Sequence, residues 1–182
     1  MTISKQIIIT AVLGLSLGLG YSLYEKNTGV EASKQAQAGI APTESLDHLP
    51  DFTYPDLQGN KRSSNEWRDR VVVLNYWASW CPPCKKEIPA FIEVQKQHED
   101  TVQFVGIAID DPEPVQKFAD SKGINYPTLL GGIESIGLSK QLGNRFSGLP
   151  FTAIFDQNGK LAFTQTGEIS REELEKQLKA LL

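Results

Sequence analysis

Two cysteines serve the whole 182-residue chain, and they stand together as Cys81-Pro82-Pro83-Cys84, directly after Trp80. A chain that confines its thiols to one C-x-x-C pair either cycles a disulfide or supplies half of a metal site. Zinc needs two further ligands. The only histidines, His48 and His98, lack the H-x3–5-H spacing such sites use. A purely structural disulfide across so short a loop restricts the unfolded chain by only about 2 kcal/mol. The surrounding residues favour redox cycling.

The pair sits where a strand passes into a helix. Val71-Val72-Val73-Leu74 reads as a buried strand, and residues 75–79 carry the chain on to the cysteines. Beyond them, Lys85 to Gln97 places Ile88, Phe91, Ile92 and Gln95 at helical spacing, an amphipathic helix. Cys81 therefore falls at the helix N-terminus. Pro82 falls in the first turn, where a missing N–H has no intrahelical partner to lose. Free N–H groups and the positive end of the helix dipole stabilise an anion there. A thiolate is such an anion, and it is the nucleophile of disulfide exchange. Cys81 is expected to attack. Cys84, one turn further in, is expected to resolve the mixed disulfide. Lys85 and Lys86 add positive charge from the solvated side.

The run Trp77-Ala78-Ser79-Trp80-Cys81-Pro82-Pro83-Cys84-Lys85-Lys86-Glu87-Ile88-Pro89 resembles the active-site segment of the thioredoxin superfamily, in particular its membrane-anchored TlpA/ResA-like thiol-disulfide oxidoreductases. Pro89, five residues after Cys84, matches the proline that kinks that family's active-site helix. Gly148-Leu149-Pro150-Phe151-Thr152 matches its cis-proline loop. The resemblance spans about residues 47–182. It implies an α/β, thioredoxin-like fold: a central mixed sheet flanked by helices, with an extra N-terminal hairpin and a central insert over 110–148. It implies a redox-active disulfide Cys81–Cys84 and no metal or other cofactor.

The resemblance also decides how Pro150 is read. A proline at the head of a strand is ordinarily trans. A cis Leu149–Pro150 bond would expose the Leu149 backbone to an extended substrate, a small case of strand addition. Trp80, Leu149 and Pro150 are thus the expected substrate contacts, with Trp77 packed beneath the motif. The implied partners are a protein carrying a disulfide and a membrane thiol-transfer protein that supplies electrons, in a role such as cytochrome c maturation. The chain is expected to act as a monomer.

One departure concerns proton transfer. Thioredoxins carry a buried Asp six residues before the first cysteine; here that place is Asn75, which cannot take a proton. Glu87 lies three residues after Cys84 on the same helix face, and helical side chains lean back toward the preceding turn. The resembling family has a glutamate at this spacing, regarded as buried and active in proton transfer. The alternative is a solvated surface glutamate. Burial and a neighbouring thiolate are expected to raise the Glu87 pKa.

The N-terminal quarter differs in kind. Ile7 to Tyr24 is almost uninterruptedly apolar, and 18 residues at ~1.5 Å each reach roughly 27 Å, enough for a hydrocarbon core. Lys5 precedes it, and Tyr21 and Tyr24 suit an interface. The stretch exceeds a usual signal h-region. An uncleaved signal anchor over residues 1–24 is expected. The alternative is a cleaved signal peptide, for which Ala36-Gln37-Ala38 is a distant candidate site. Residues 25–46, rich in Ala, Gln, Ser, Glu and Lys and without aromatics, read as a flexible tether. The domain over 47–182 would then face the periplasm or the outside of a bacterial cell from a single-pass anchor. A chain without spare thiols suits that oxidising side.

Within the domain, Phe52 to Arg62 reads as a hairpin turning at Gly59-Asn60, and Ser63 or Ser64 as the cap of a short helix ending at Trp67. Strands are expected at 102–109, 126–130, 151–155 and 161–165. Helices are expected at 112–122, capped by Asp111 and ended by Gly123, at 135–142, and after the Ser170/Glu173 capping box. The net charge of −4 comes with no basic patch for nucleic acid. Two other function classes remain to be weighed. A peroxiredoxin-like peroxide-reducing enzyme would need P-x-x-x-[ST]-x-x-C, which Asn75 to Cys81 lacks. A metal- or haem-delivery module would use the thiols as ligands, and the absence of Met beyond Met1 speaks against soft copper.

Overall fold

The computed structural model describes residues 46–182. The expected anchor at 1–24 and all of the expected tether except Leu46 lie outside the described residues. Leu46 is already tied in: its N–H donates to the Gln141 carbonyl at 2.9 Å.

The first elements are a two-stranded hairpin, β1 (Thr53–Pro55) and β2 (Lys61–Ser63). Asp56 closes its turn by accepting from the N–H groups of Gln58 and Asn60, while Gly59 supplies a φ of 82°. Ser63 then caps a 3-10 turn over Ser64–Trp67 in a reciprocal capping box with Glu66.

The main sheet holds β3 (Val71–Trp77), β4 (Val102–Ala108), β5 (Thr128–Leu130), β6 (Phe151–Phe155) and β7 (Leu161–Thr166), in the order β5-β4-β3-β6-β7. β3, β4 and β5 run parallel, and β6 and β7 antiparallel to their neighbours. Four α-helices complete the domain: α1 (Pro82–Gln97), α2 (Pro112–Lys122), α3 (Ile136–Gln141) and α4 (Arg171–Lys179). This is the α/β, helix-flanked mixed sheet that the resemblance implies.

β3 is central and wholly buried, as a strand covered on both faces must be. Its alternate residues feed two cores. Val71 and Val73 join Phe104, Ile154 and the α1 and α4 residues Phe91, Val94, Leu174 and Leu178. Val72, Leu74 and Tyr76 join Ile107, Phe151 and Phe155 under Phe52, Trp67 and Leu142. The hairpin and α3 therefore cover the face opposite α1.

The structure differs from the sequence reading in a few places. β3 does not stop with the apolar run; Asn75 to Trp77 continue it, paired with Gly106–Ala108. β5 begins at Thr128, after Pro127, which has no N–H to donate to the ladder. α3 is shorter than expected by one residue at each end, because a 3-10 turn over Ile133–Ser135 takes Ser135 and Leu142 is its C-cap. Asp111 holds the N-cap position of α2, but its side chain makes no capping bond. Gly123 ends α2 in the left-handed region at φ 64°. Ser170 accepts from the Glu173 N–H at α4, whereas the Glu173 carboxylate turns to Lys176 and Gln177.

Candidate active site

β3 delivers the chain to the cysteines, and α1 receives it. Between them, Ser79 is fixed by Asp110 at the end of β4: its N–H and hydroxyl both donate to Asp110 Oδ2, at 2.9 and 2.5 Å. Trp80, next along, is left 63% exposed. Trp77 is fully buried beneath.

Cys81 is the N-cap residue of α1, with Pro82 in the first turn. Its sulfur accepts from the Cys84 N–H at 3.3 Å and is bonded to the Cys84 sulfur. Cys81 retains a trace of exposure and Cys84 none. A negative charge on the Cys81 sulfur would lie on the free N–H groups of the helix, where an anion is favoured.

The second wall comes from the strand next to β3. β6 is antiparallel to β3, with Phe151 opposite Tyr76, so the segment entering β6 arrives at the end of β3 that leads to Cys81. Leu149–Pro150 in that segment is cis. The buried Asn144 clamps the approach, accepting from the Gly148 N–H and donating to the Gly148 carbonyl, both at 3.0 Å. Leu149 packs against the cluster that holds Trp77, Cys81 and Cys84.

Glu87 lies one turn after Cys84, and it is buried, 2% exposed. Asn75 Nδ2 donates to its Oε1 at 2.7 Å and the Ile169 N–H to its Oε2 at 3.0 Å. Burial pushes its pKa up to about 7, against the opposing pull of those two donors, and the charge of Glu168 adds to the rise. The cause is thus chiefly burial, in the disulfide form, where no thiolate is present. Asn75, itself buried, also donates to Thr152 Oγ1 at 3.2 Å.

All six residues singled out in the sequence therefore sit in one neighbourhood: Trp80, Cys81, Cys84 and Glu87 along one loop and helix, Leu149 and Pro150 across from them. Sequence reasoning missed Asp110 and Asn144; for Asn144 the one signal was an Asn four residues before a Gly, a side chain suited to closing a local turn.

Comparison with known proteins places the chain among redox enzymes. It is 28% identical over 175 residues to the thiol-disulfide oxidoreductase ResA of Geobacillus kaustophilus, covering 94% of this chain and 93% of the relative. It is 29% identical over 167 residues to the thioredoxin-like protein YneN of Bacillus subtilis, covering 87% and 88%. Among solved structures, a DsbF homologue from Corynebacterium diphtheriae superposes with a TM-score of 0.66 at 25% identity, over 80% of this chain and 97% of the other. A thiol:disulfide interchange protein of Chlorobium tepidum gives 0.64 at 27%, over 79% and 99%. Residues 44–182 match the Redoxin family; the chain belongs to it and is a thiol-disulfide oxidoreductase with a thioredoxin-like fold.

Proposed function

We propose that this oxidoreductase is a membrane-tethered reductase of protein disulfides outside the cytoplasm. The observation that carries the reading is the juxtaposition at one end of the sheet: a helix-capping cysteine, a cis-proline loop beside it, and a buried carboxyl one turn below.

The steps follow from that arrangement. In the reduced enzyme the Cys81 thiolate attacks one sulfur of the partner's disulfide. A Cys81–partner disulfide forms and the partner's other sulfur leaves as thiolate. Cys84 then passes its proton to the Glu87 carboxylate and attacks the Cys81 sulfur. The Cys81–Cys84 disulfide closes, and the partner's second sulfur leaves. Both partner thiolates take up protons, one of which Glu87 can return. A carboxyl with a pKa of about 7 exchanges protons readily at neutral pH. Trp80 and the Leu149–Pro150 backbone hold the partner while this happens. A membrane thiol-transfer protein restores the dithiol by the reverse exchange. The reducing direction rests on the family resemblance; a shift of about 30 mV in potential, ~1.4 kcal/mol for a two-electron couple, would alter it tenfold. The apolar residues 7–24 serve as the anchor.

A peroxide-reducing enzyme fares worse. The segment before Cys81 lacks the peroxidatic pattern, so the purified protein should not turn over peroxide.

The test is capture of the partner. A Cys84→Ser chain expressed with its anchor should accumulate a mixed disulfide through Cys81, identifiable by mass spectrometry. An apocytochrome c among the captured proteins would place the enzyme in cytochrome c maturation. Absence of any Cys81-linked partner, with the variant folded and membrane-bound, would overturn the proposal.

A further inference from the structure

Glu87 takes one of its two hydrogen bonds from the backbone, and that bond has a support of its own. β3, β6 and β7 lie side by side, with Asn75 opposite Thr152 and Thr152 opposite Gln165. Residues in register on neighbouring strands turn their side chains to the same face, so the three form a polar row across the sheet. The row ends at the buried carboxyl from two directions. Asn75 donates to Glu87 Oε1 and to Thr152 Oγ1. Gln165 acts from the other end: its Nε2 donates to the Glu168 carbonyl at 2.6 Å.

The Glu168 carbonyl and the Ile169 N–H belong to one trans peptide unit. Such a unit is planar, and its C=O and N–H point in opposite directions. It is therefore gripped at both ends, by Gln165 on the carbonyl oxygen and by Glu87 Oε2 on the N–H, at 3.0 Å. The rest of the link between β7 and α4 holds its Cα positions. The Gly167 N–H donates to the Pro150 carbonyl at 2.8 Å, and Gly167 turns the chain at φ 93°. Ser170 caps α4, and the Ile169 side chain is buried among Phe91, Leu174 and Leu178. Fixed Cα positions still let a peptide plane rock, by opposite changes of ψ before it and φ after it. The bond from Gln165 removes that freedom. It also polarises the unit, which strengthens the donor at its other end.

We propose that Gln165 is a positioning residue for proton transfer: by holding the Glu168 carbonyl it aims the Ile169 N–H at Glu87 and keeps that donor in place while the carboxyl gains and loses its proton. The effect on exchange rests on the Glu87 role proposed above; the grip on the peptide does not. Burial raises the Glu87 pKa, and the Ile169 N–H is the stronger of the two donors that oppose the rise. Loosening it raises the pKa further. The charged and titratable groups around Glu87 are Cys84 on its own helix, Glu168 (with Lys86 3.9 Å from it) before α4, and Tyr126 before β5; Arg171 in α4 is paired with Glu93 and Glu175. Gln165 is uncharged and half-buried, so replacing it alters none of these charges.

The experiment uses the full chain in its disulfide form, labelled with 15N and 13C, in detergent. In the parent the Ile169 amide proton should move with pH in step with the Glu87 carboxyl carbon, because a donor responds to the charge it bonds. Gln165→Met and Gln165→Leu keep much of the side chain's bulk and lose the donor. Each should raise the Glu87 titration by ~0.5 pH unit or more and shrink the Ile169 excursion. In the reduced chain, Cys81 should be alkylated at the parent rate. An Ile169 amide that ignores the Glu87 titration in the parent overturns the proposal. So does a titration at the parent value in both variants, or a raised one with the Ile169 excursion undiminished. An altered alkylation rate would trace the effect to the cysteines and overturn it as well. Failure of the Glu87 role looks different: Glu87→Gln would leave the pH profile of exchange unchanged, while both Gln165 variants still raise the titration.

Discussion

At residue scale the site turns on how a carboxyl can be kept in the interior. Glu87 is offered two donors, Asn75 and the Ile169 N–H, yet its pKa still rises to about 7 from an ordinary 4.5. Two donors do not replace the water a carboxylate loses on burial. The consequence for stability has a definite sign. Between pH 4.5 and about 7 the folded protein holds a proton on Glu87 that the unfolded chain has released, so stability falls as pH rises through that window and levels off above it. At about 1.4 kcal/mol per pH unit, the gap corresponds to roughly 3 kcal/mol. Glu87→Gln should remove this slope: denaturant unfolding of the disulfide form should change less between pH 5 and 7.5 than in the parent. A parent curve without such a decline would show that the carboxyl is not held as described. The two cysteines were legible from their spacing, and Glu87 from its place one turn later. The partners of Glu87 were not. Asn75 was read as a missing acid, whereas it is the donor that reaches the acid from β3, and nothing local in a sequence announces a bond between residues twelve apart on a strand and a helix.

At the scale of elements, the cysteine-bearing helix and the cis-proline loop are steadied by different means. α1 is long, amphipathic and packed on the sheet through Ile88, Phe91 and Val94, so its existence follows from hydrophobic periodicity. Pro89 lies on its exposed side, and the helix continues past it to Gln97. The loop over 143–149 has no such pattern. It depends on one buried side chain, Asn144, which bonds both backbone groups of Gly148 and lies 3.4 Å from Ser139 Oγ. Side-chain clamps of this sort are invisible to periodicity, which explains why helices and strands were readable to within a few residues while the support of Leu149 was not. Asn144→Ala should therefore act on the loop more than on the fold. It should lower stability by about 1–3 kcal/mol, and it should raise KM for a protein disulfide while leaving the reactivity of the Cys81 thiol with a small alkylating agent unchanged. An unchanged KM would mean that the loop keeps its form without the clamp.

Across the whole molecule, exposed apolar bulk is distributed unevenly. Among the described residues the large hydrophobic side chains left most open are Trp80, Ile133, Phe146 and Leu182, at 63%, 80%, 93% and 52%. Three of these four belong to loops at one end of the sheet. Trp80 follows β3, Ile133 follows β5, and Phe146 lies in the loop that leads into β6, whose start pairs with the end of β3. Ile133 borders a small cavity with Asp110, which in turn holds Ser79 beside Trp80. Isolated exposed hydrophobics are ordinary, but several gathered around a reactive centre mark a contact surface. A protein partner would cover them; a small disulfide would not reach them. Replacing Ile133 and Phe146 together by Ser should therefore slow reduction of a protein disulfide by about tenfold, the effect of ~1.4 kcal/mol of lost contact, while the rate with a small aliphatic disulfide stays at the parent value. Stability should hardly move, since neither side chain is buried in the folded state. Equal slowing with both substrates would assign the loss to the sulfur chemistry instead, and equal rates with both would show that the partner docks elsewhere around Cys81.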